Sequence, residues 1–214
     1  MPNLVLLIVC FLLGMVLRRL GRFPDNTSSV LNGFIIHISL PALTLLHVHE
    51  LPLDSSLAYS TATPWVLFGL GMVFFLVTGR LARWPRATVG GLILTGSLAN
   101  TSFLGLPMIE TFYGAEHLGL GILIDQLGTY MVLSTLGILV AVTYASGDAS
   151  PAAIARKILL FPPFQAVLLA LVLRPVEYPE WTEVVLGKLG GTLAPLALVS
   201  VGYQLRLAEL RGRV

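Results

Sequence analysis

The chain has 214 residues, 56% of them hydrophobic and only 11% charged, where a soluble domain carries roughly 25% charge. Its mean hydropathy is +0.86, and its apolar residues are blocked into runs instead of spaced along amphipathic faces, which excludes a water-soluble globule. The net charge of +2 points to no partner, because the arginines cluster at a few places as topology signals and form no nucleic-acid patch.

Seven spans are predicted, near Leu4–Leu17, Val30–Val48, Pro64–Leu81, Thr88–Tyr113, Leu118–Tyr144, Ile158–Leu173 and Val184–Leu205. Short loops with helix breakers separate them: Gly21-Arg22-Phe23-Pro24, Trp84-Pro85, Gly147-Asp148-Ala149-Ser150-Pro151 and Arg174-Pro175. Before the first span, Met1-Pro2-Asn3 lacks the basic region of a secretory signal, and Arg18, Arg19 and Arg22 follow the apolar run, so this helix is retained. The one cysteine, Cys10, allows neither a disulfide nor a cysteine metal site within one chain.

The second span holds His37, which could titrate near neutral pH or hydrogen-bond between helices. His47, His49 and His117 lie near loops with no metal spacing, and no cofactor motif accompanies them. The fourth apolar run covers 26 residues, about 39 Å as a straight helix and longer than the hydrocarbon core. Its middle reads Asn100-Thr101-Ser102-Phe103-Leu104-Gly105-Leu106-Pro107. Pro107 cannot donate and suits a new first turn, Gly105 permits unusual backbone angles, and Asn100, Thr101 and Ser102 can satisfy groups freed by a break. A break between Asn100 and Pro107 is therefore predicted, either as the midplane site of a transporter or as a plain proline kink. The fifth span carries Asp125, the one acid well inside a span, with Gln126 beside it. A charge there is costly, so Asp125 serves as a proton or cation site or pairs with a polar neighbour.

Counting loops alternately, Arg18, Arg19, Arg22, Arg80, Arg83, Arg86, Arg156, Lys157, Arg206, Arg211 and Arg213 share one side, against Arg174 and Lys188 on the other. Basic residues collect in cytoplasmic loops, which places the N-terminus outside and the C-terminus in the cytoplasm. Ser39-Leu40-Pro41-Ala42-Leu43 in span two is echoed by Leu193-Ala194-Pro195-Leu196-Ala197 in span seven, five helices later and so oppositely directed. That is the pattern of inverted repeats, the first complete over residues 1–145 and the second begun over 146–214.

These two segments, with Asn100-Thr101-Ser102-Phe103-Leu104-Gly105-Leu106-Pro107, Asp125-Gln126-Leu127-Gly128, Phe161-Pro162-Pro163-Phe164 and Ser200-Val201-Gly202, make the chain resemble the auxin efflux carrier family, including its bacterial malonate-transporter-like members. The resemblance implies an all-α, polytopic, ten-helix inverted-repeat fold with a broken crossover helix four, of which this chain would hold seven helices. It also implies a bacterial plasma-membrane permease for a small organic anion, with the lipid bilayer as surroundings and a homodimer through the scaffold helices, while coupling to protons, to sodium or to nothing stays open. Asn100, Thr101 and Ser102 would contact the substrate, Gly105 and Pro107 would shape the crossover, and Asp125, Gln126 and His37 are the coupling candidates. Lacking the second crossover helix, the chain alone is expected not to transport. An enzyme is disfavoured by the absence of HExxH, GxSxG and aspartate-rich motifs. A channel and a non-transporting scaffold are the rival functions.

Overall fold

Apolar runs of this length form helices because hydrocarbon offers the backbone no hydrogen bonds and a helix satisfies its own. The computed structural model describes residues 2–49, 51, 55–145 and 150–205, so Glu50, Asp54, the Gly147-Asp148-Ala149 breaker, Arg206, Arg211 and Arg213 lie outside the described residues. In chain order the helices are α1 (Pro2–Leu20), α2 (Thr27–His49), α3 (Ser55–Leu81), α4 (Arg86–Phe112, interrupted), α5 (Ala115–Tyr144), α6 (Pro151–Leu159), α7 (Pro162–Leu173) and α8 (Glu180–Gln204). Five of them, α2, α3, α4, α5 and α8, are long and apolar enough to cross a membrane, and α6 with α7 makes a sixth candidate bent by 61°. The 19 residues of α1 give a rod of about 28 Å.

The surface is that of a protein in lipid. On α3, Val66, Leu67, Leu70, Val73, Phe74 and Val77 are all exposed, while Ser39, Thr44, Asp125, Gln126, Thr129, Ser134 and Ser200 are buried. Where tails are as apolar as leucine, association rests on close packing and interhelical hydrogen bonds. Helix α1 lies along α8 by such packing. A Cβ on Gly202 would sit 2.1 Å from the Phe11 carbonyl oxygen, and one on Gly14 would sit 2.2 Å from that of Val199. Ser200 Oγ donates to Asn32 Oδ1 at 2.5 Å, tying α8 to α2 as well.

A reciprocal pairing joins α7 to the second half of α2. His49 Nε2–H donates to the carbonyls of Leu173 and Val176 at 3.0 and 2.9 Å, and its ring stacks on Tyr178 at 4.1 Å. Burial pushes the Tyr178 phenol up from the usual tyrosine range. Helices α2 and α8 cross where Ser39 Oγ meets Thr192 Oγ1 at 2.7 Å, with Gly190 against Leu43.

Three sequence expectations are corrected. Pro64 does not open the third helix; it sits inside the 27-residue α3, where its ring fits against Gly128 of α5. The sixth run is not one straight span: Pro162 and Pro163 cannot donate to a preceding turn, so α6 ends at Leu159 and α7 restarts at an angle. Lys188 is no loop charge, since it lies inside α8. Without it, the described basic residues at span ends are Arg18, Arg19, Arg22, Arg80, Arg83, Arg86, Arg156 and Lys157 against Arg174 alone.

Candidate functional site

Helix α4 runs regularly from Arg86 to Gly96, loses its helical ladder from Ser97 to Asn100, and resumes through a widened π-type turn at Thr101–Gly105 into Leu106–Phe112. The break thus begins three residues before the predicted segment and meets it at Asn100. Gly105 has ordinary helical angles (φ −62°, ψ −52°) and a Cβ there would meet nothing closer than 3.6 Å, so it does not shape the break. Pro107 is buried in the first turn of the resumed α-helix, where no N–H is needed. The proline marks the restart, which is why it reads as the interruption.

The restart is capped by Asn100, whose backbone leaves the helical region (φ −85°, ψ 78°) and whose Oδ1 accepts from the Phe103 N–H at 3.1 Å. Asn100 is exposed, and its amide nitrogen makes no hydrogen bond among the described residues. The next two residues turn inward. Thr101 Oγ1 donates to Asp125 Oδ1, and Ser102 Oγ lies 2.7 Å from both oxygens of the same carboxylate.

Asp125 is 2% exposed and stands in a second widened turn, Ile124–Thr129 of α5. Its third donor is Gln126 Nε2, at 2.7 Å from Oδ2. Among the described residues the only ion pairs are Arg18 with Asp25 and His117 with Glu116, so hydroxyls and an amide are what surround this carboxylate. Gln126 Oε1 is buried with no hydrogen-bond partner among the described residues, as is Ser97 Oγ at the break. Widened turns free carbonyls and recur at functional sites, and here Trp65 Nε1 of α3 donates to the Leu127 carbonyl at 3.1 Å. The Thr101–Gly105 turn packs on the second half of α8, and the Ile124–Thr129 turn packs on α3.

Thr101, Ser102, Asp125 and Gln126 are therefore brought together, with Asn100 adjoining them in the chain. His37 is not among them. It is exposed on α2, and its Nδ1–H donates to the Gly33 carbonyl of its own helix at 2.8 Å. Sequence reasoning does not single out Ser97 and Trp65, whose roles depend on where the break falls, and it counts Lys188 in a loop although the seventh predicted span contains it. No three His, Cys, Asp or Glu side chains among the described residues are grouped to hold a metal.

A membrane helix interrupted beside a buried carboxylate, with polar backbone kept inside a lipid-coated bundle, is a construction that membrane transporters use. The chain belongs to the membrane transport protein family, whose profile matches residues 1–214. It is similar to an uncharacterized transporter of Methanothermobacter thermautotrophicus, at 28% identity over 211 residues, covering 97% of this chain and 68% of that one. A second uncharacterized transporter, from Methanocaldococcus jannaschii, is 25% identical over 221 residues, covering 99% of this chain and 70% of its own.

Proposed function

We propose that the protein is a secondary active permease for a small organic anion such as a carboxylate, akin to the auxin efflux carrier and malonate-transporter-like proteins. The observation that carries this reading is the clamp of Thr101 and Ser102, directly after the break in α4, on the buried Asp125 of α5. Asn100 spends its oxygen on the cap and keeps its amide N–H groups, the half that a carboxylate substrate requires. Thr101 and Ser102 then act on the substrate through position and not through direct donation. A proton or sodium ion arriving at Asp125 competes with their hydroxyls, with Gln126 Oε1 as a spare acceptor, and so couples ion occupancy to the shape of the break. His37 has no part in this coupling.

In this reading α1 and the α6–α7 unit complete seven spans, and residues 1–145 and 146–214 belong to two inverted repeats. The reciprocal pairings of α1 with α8 and of α7 with α2 support it, as does the Ser39–Thr192 contact just before the two Leu-Pro and Leu-Ala-Pro segments. The surviving charge asymmetry supports an external N-terminus and a cytoplasmic C-terminus in a plasma membrane. Helices α1, α2, α7 and α8 form the scaffold through which two copies would pair.

The test is uptake of radiolabelled dicarboxylates and aromatic acids into liposomes containing the purified protein, with proton and sodium gradients imposed in turn. Saturable uptake with counterflow, lost in Asp125→Asn, is the expected result when the chain is carried in the full-length context of its relatives, of which it spans 68% and 70%. No specific uptake is expected of residues 1–214 alone. Flux that is linear in concentration and shows no counterflow would describe a channel and overturn the carrier reading.

A further inference from the structure

The turn between α3 and α4 holds three arginines around a cavity of about 340 Å³ that the transport reading does not use. It is lined by Arg80, Arg83 and Arg86, by the aromatic Trp84 and Tyr144, and by the apolar Leu76 and Val89. Two candidate spans end at this turn, α3 at Leu81 and α4 at Arg86. The cavity therefore lies at headgroup level whichever way up the protein sits.

The turn is built so that the cations converge. Helix α3 closes with the Trp84 N–H on the Gly79 carbonyl at 2.9 Å and the Arg83 N–H on that of Arg80 at 3.3 Å. This closure puts Arg83 in the left-handed region at φ 53°, the one described residue other than glycine with a positive φ. Glycine is the usual occupant of that position because it has no Cβ to crowd there. Arg86 is aimed by its own contacts, donating from Nη2 to the Thr143 carbonyl at 2.9 Å and lying 5.4 Å from the centre of the Tyr144 ring. Arg80 and Arg83 make no ion pair among the described residues.

We infer that this cavity is a binding site for an anionic phospholipid, the phosphodiester held by Arg80, Arg83 and Arg86 and the start of an acyl chain against Leu76 and Val89. Guanidinium forks match phosphate oxygens, and basic pockets between membrane helices hold lipid headgroups. A free phosphate shares the first half of this chemistry but gains nothing from the apolar lining. One lipid held there ties the end of α3 to the start of α4, the half-helix that runs on to the break.

The experiment is quenching of tryptophan fluorescence by brominated lipid, with the full chain in vesicles of phosphatidylcholine containing increasing phosphatidylglycerol. The part of the signal that Trp84→Phe removes reports the cavity. Brominated phosphatidylglycerol is expected to quench Trp84 at lower mole fraction than brominated phosphatidylcholine, with the preference falling about fivefold for each arginine removed in Arg80→Gln and Arg83→Gly. The glycine suits the left-handed backbone, so a misfolded turn cannot mimic the loss. Equal quenching by both lipids would overturn the proposal, as would an equal loss in the Arg156→Gln/Lys157→Gln control, whose charges lie outside the cavity. Displacement by millimolar inorganic phosphate would assign the site to a soluble anion and would also overturn it.

Discussion

The α1–α8 seam and the α4–α5 pair are both close helix contacts in lipid, yet opposite materials make them. At the seam, Gly14 and Gly202 bring two backbones together, and a single added carbon would collide with a carbonyl at 2.2 or 2.1 Å. At the α4–α5 pair the helices have widened turns, and side-chain hydrogen bonds on one carboxylate draw them together. Packing of the first kind has one geometry. A hydrogen-bonded clamp on an ionisable group has as many states as the group has occupants, so a moving part is expected there and a fixed one at the seam.

The largest expected effect comes from emptying the clamp. Asp125→Leu would leave the buried Gln126 donor and the half-buried Thr101 and Ser102 donors unpaired, at up to roughly 1–3 kcal/mol each. Thermal unfolding in detergent should show it as the most destabilised of the single variants named here. Adding Thr101→Val and Ser102→Ala should recover much of that loss while transport stays absent, because apolar partners of similar shape need no donors. If the triple variant is as unstable as the single one, the clamp is not what holds α4 to α5. Next comes the seam, where Gly202→Ala should cost roughly 1–3 kcal/mol by overpacking, while Gly105→Ala, with 3.6 Å of clearance, should leave the melting temperature unchanged or slightly raised. Equal effects at the two glycines would erase the distinction between them.

Much of this is legible in the chain. Asp125 stands out because an acid deep in an apolar run is costly, and Asn100-Thr101-Ser102 stands out as the polar cluster in a run too long to be one straight helix. What sequence does not reveal is the pairing, since nothing local says that Thr101 and Ser102 face a residue 24 and 23 positions away. Gly105 and Pro107 read as the break because their backbone character is visible in a sequence, whereas Ser97, Leu98 and Ala99, where the helix is lost before Asn100, are ordinary in composition. Lys188 is misplaced for a related reason. A basic residue reads as a loop marker, although α8 begins at Glu180 and continues past this lysine to Gln204.

Asn100 separates capping from recognition. Asn100→Asp keeps an oxygen for the Phe103 N–H and so should keep the melting temperature, but it removes the amide donor and, in the proposed reading, sets a negative charge before the substrate. A donor to a carboxylate contributes on the order of 1.5–3 kcal/mol, so substrate affinity should fall about ten- to a hundredfold. Asn100→Ala should lose that affinity and also ~1 kcal/mol of stability with the cap. Isothermal binding and unfolding measured on both variants give the four numbers needed. Unchanged affinity in Asn100→Asp would reduce the residue to a cap.

The smallest effect is expected at His37, and its smallness matters to the contrast between fixed and moving parts. The ring is exposed, bonded only to the Gly33 carbonyl one turn earlier in the same helix, and it reaches neither Asp125 nor either half of α4. Removing it takes away one local hydrogen bond from a surface position, which is worth within about 0.5 kcal/mol. Histidine is nevertheless the side chain where a pH sensor would first be sought, so the useful measurement is the pH dependence of uptake, not its rate at one pH. His37→Ala should leave that profile where it is in the wild type between about pH 5 and 8, because the ion-responsive group in this reading is the carboxylate at the clamp. A profile displaced in His37→Ala, with stability unaltered, would carry coupling into α2 and make the scaffold a participant in the cycle.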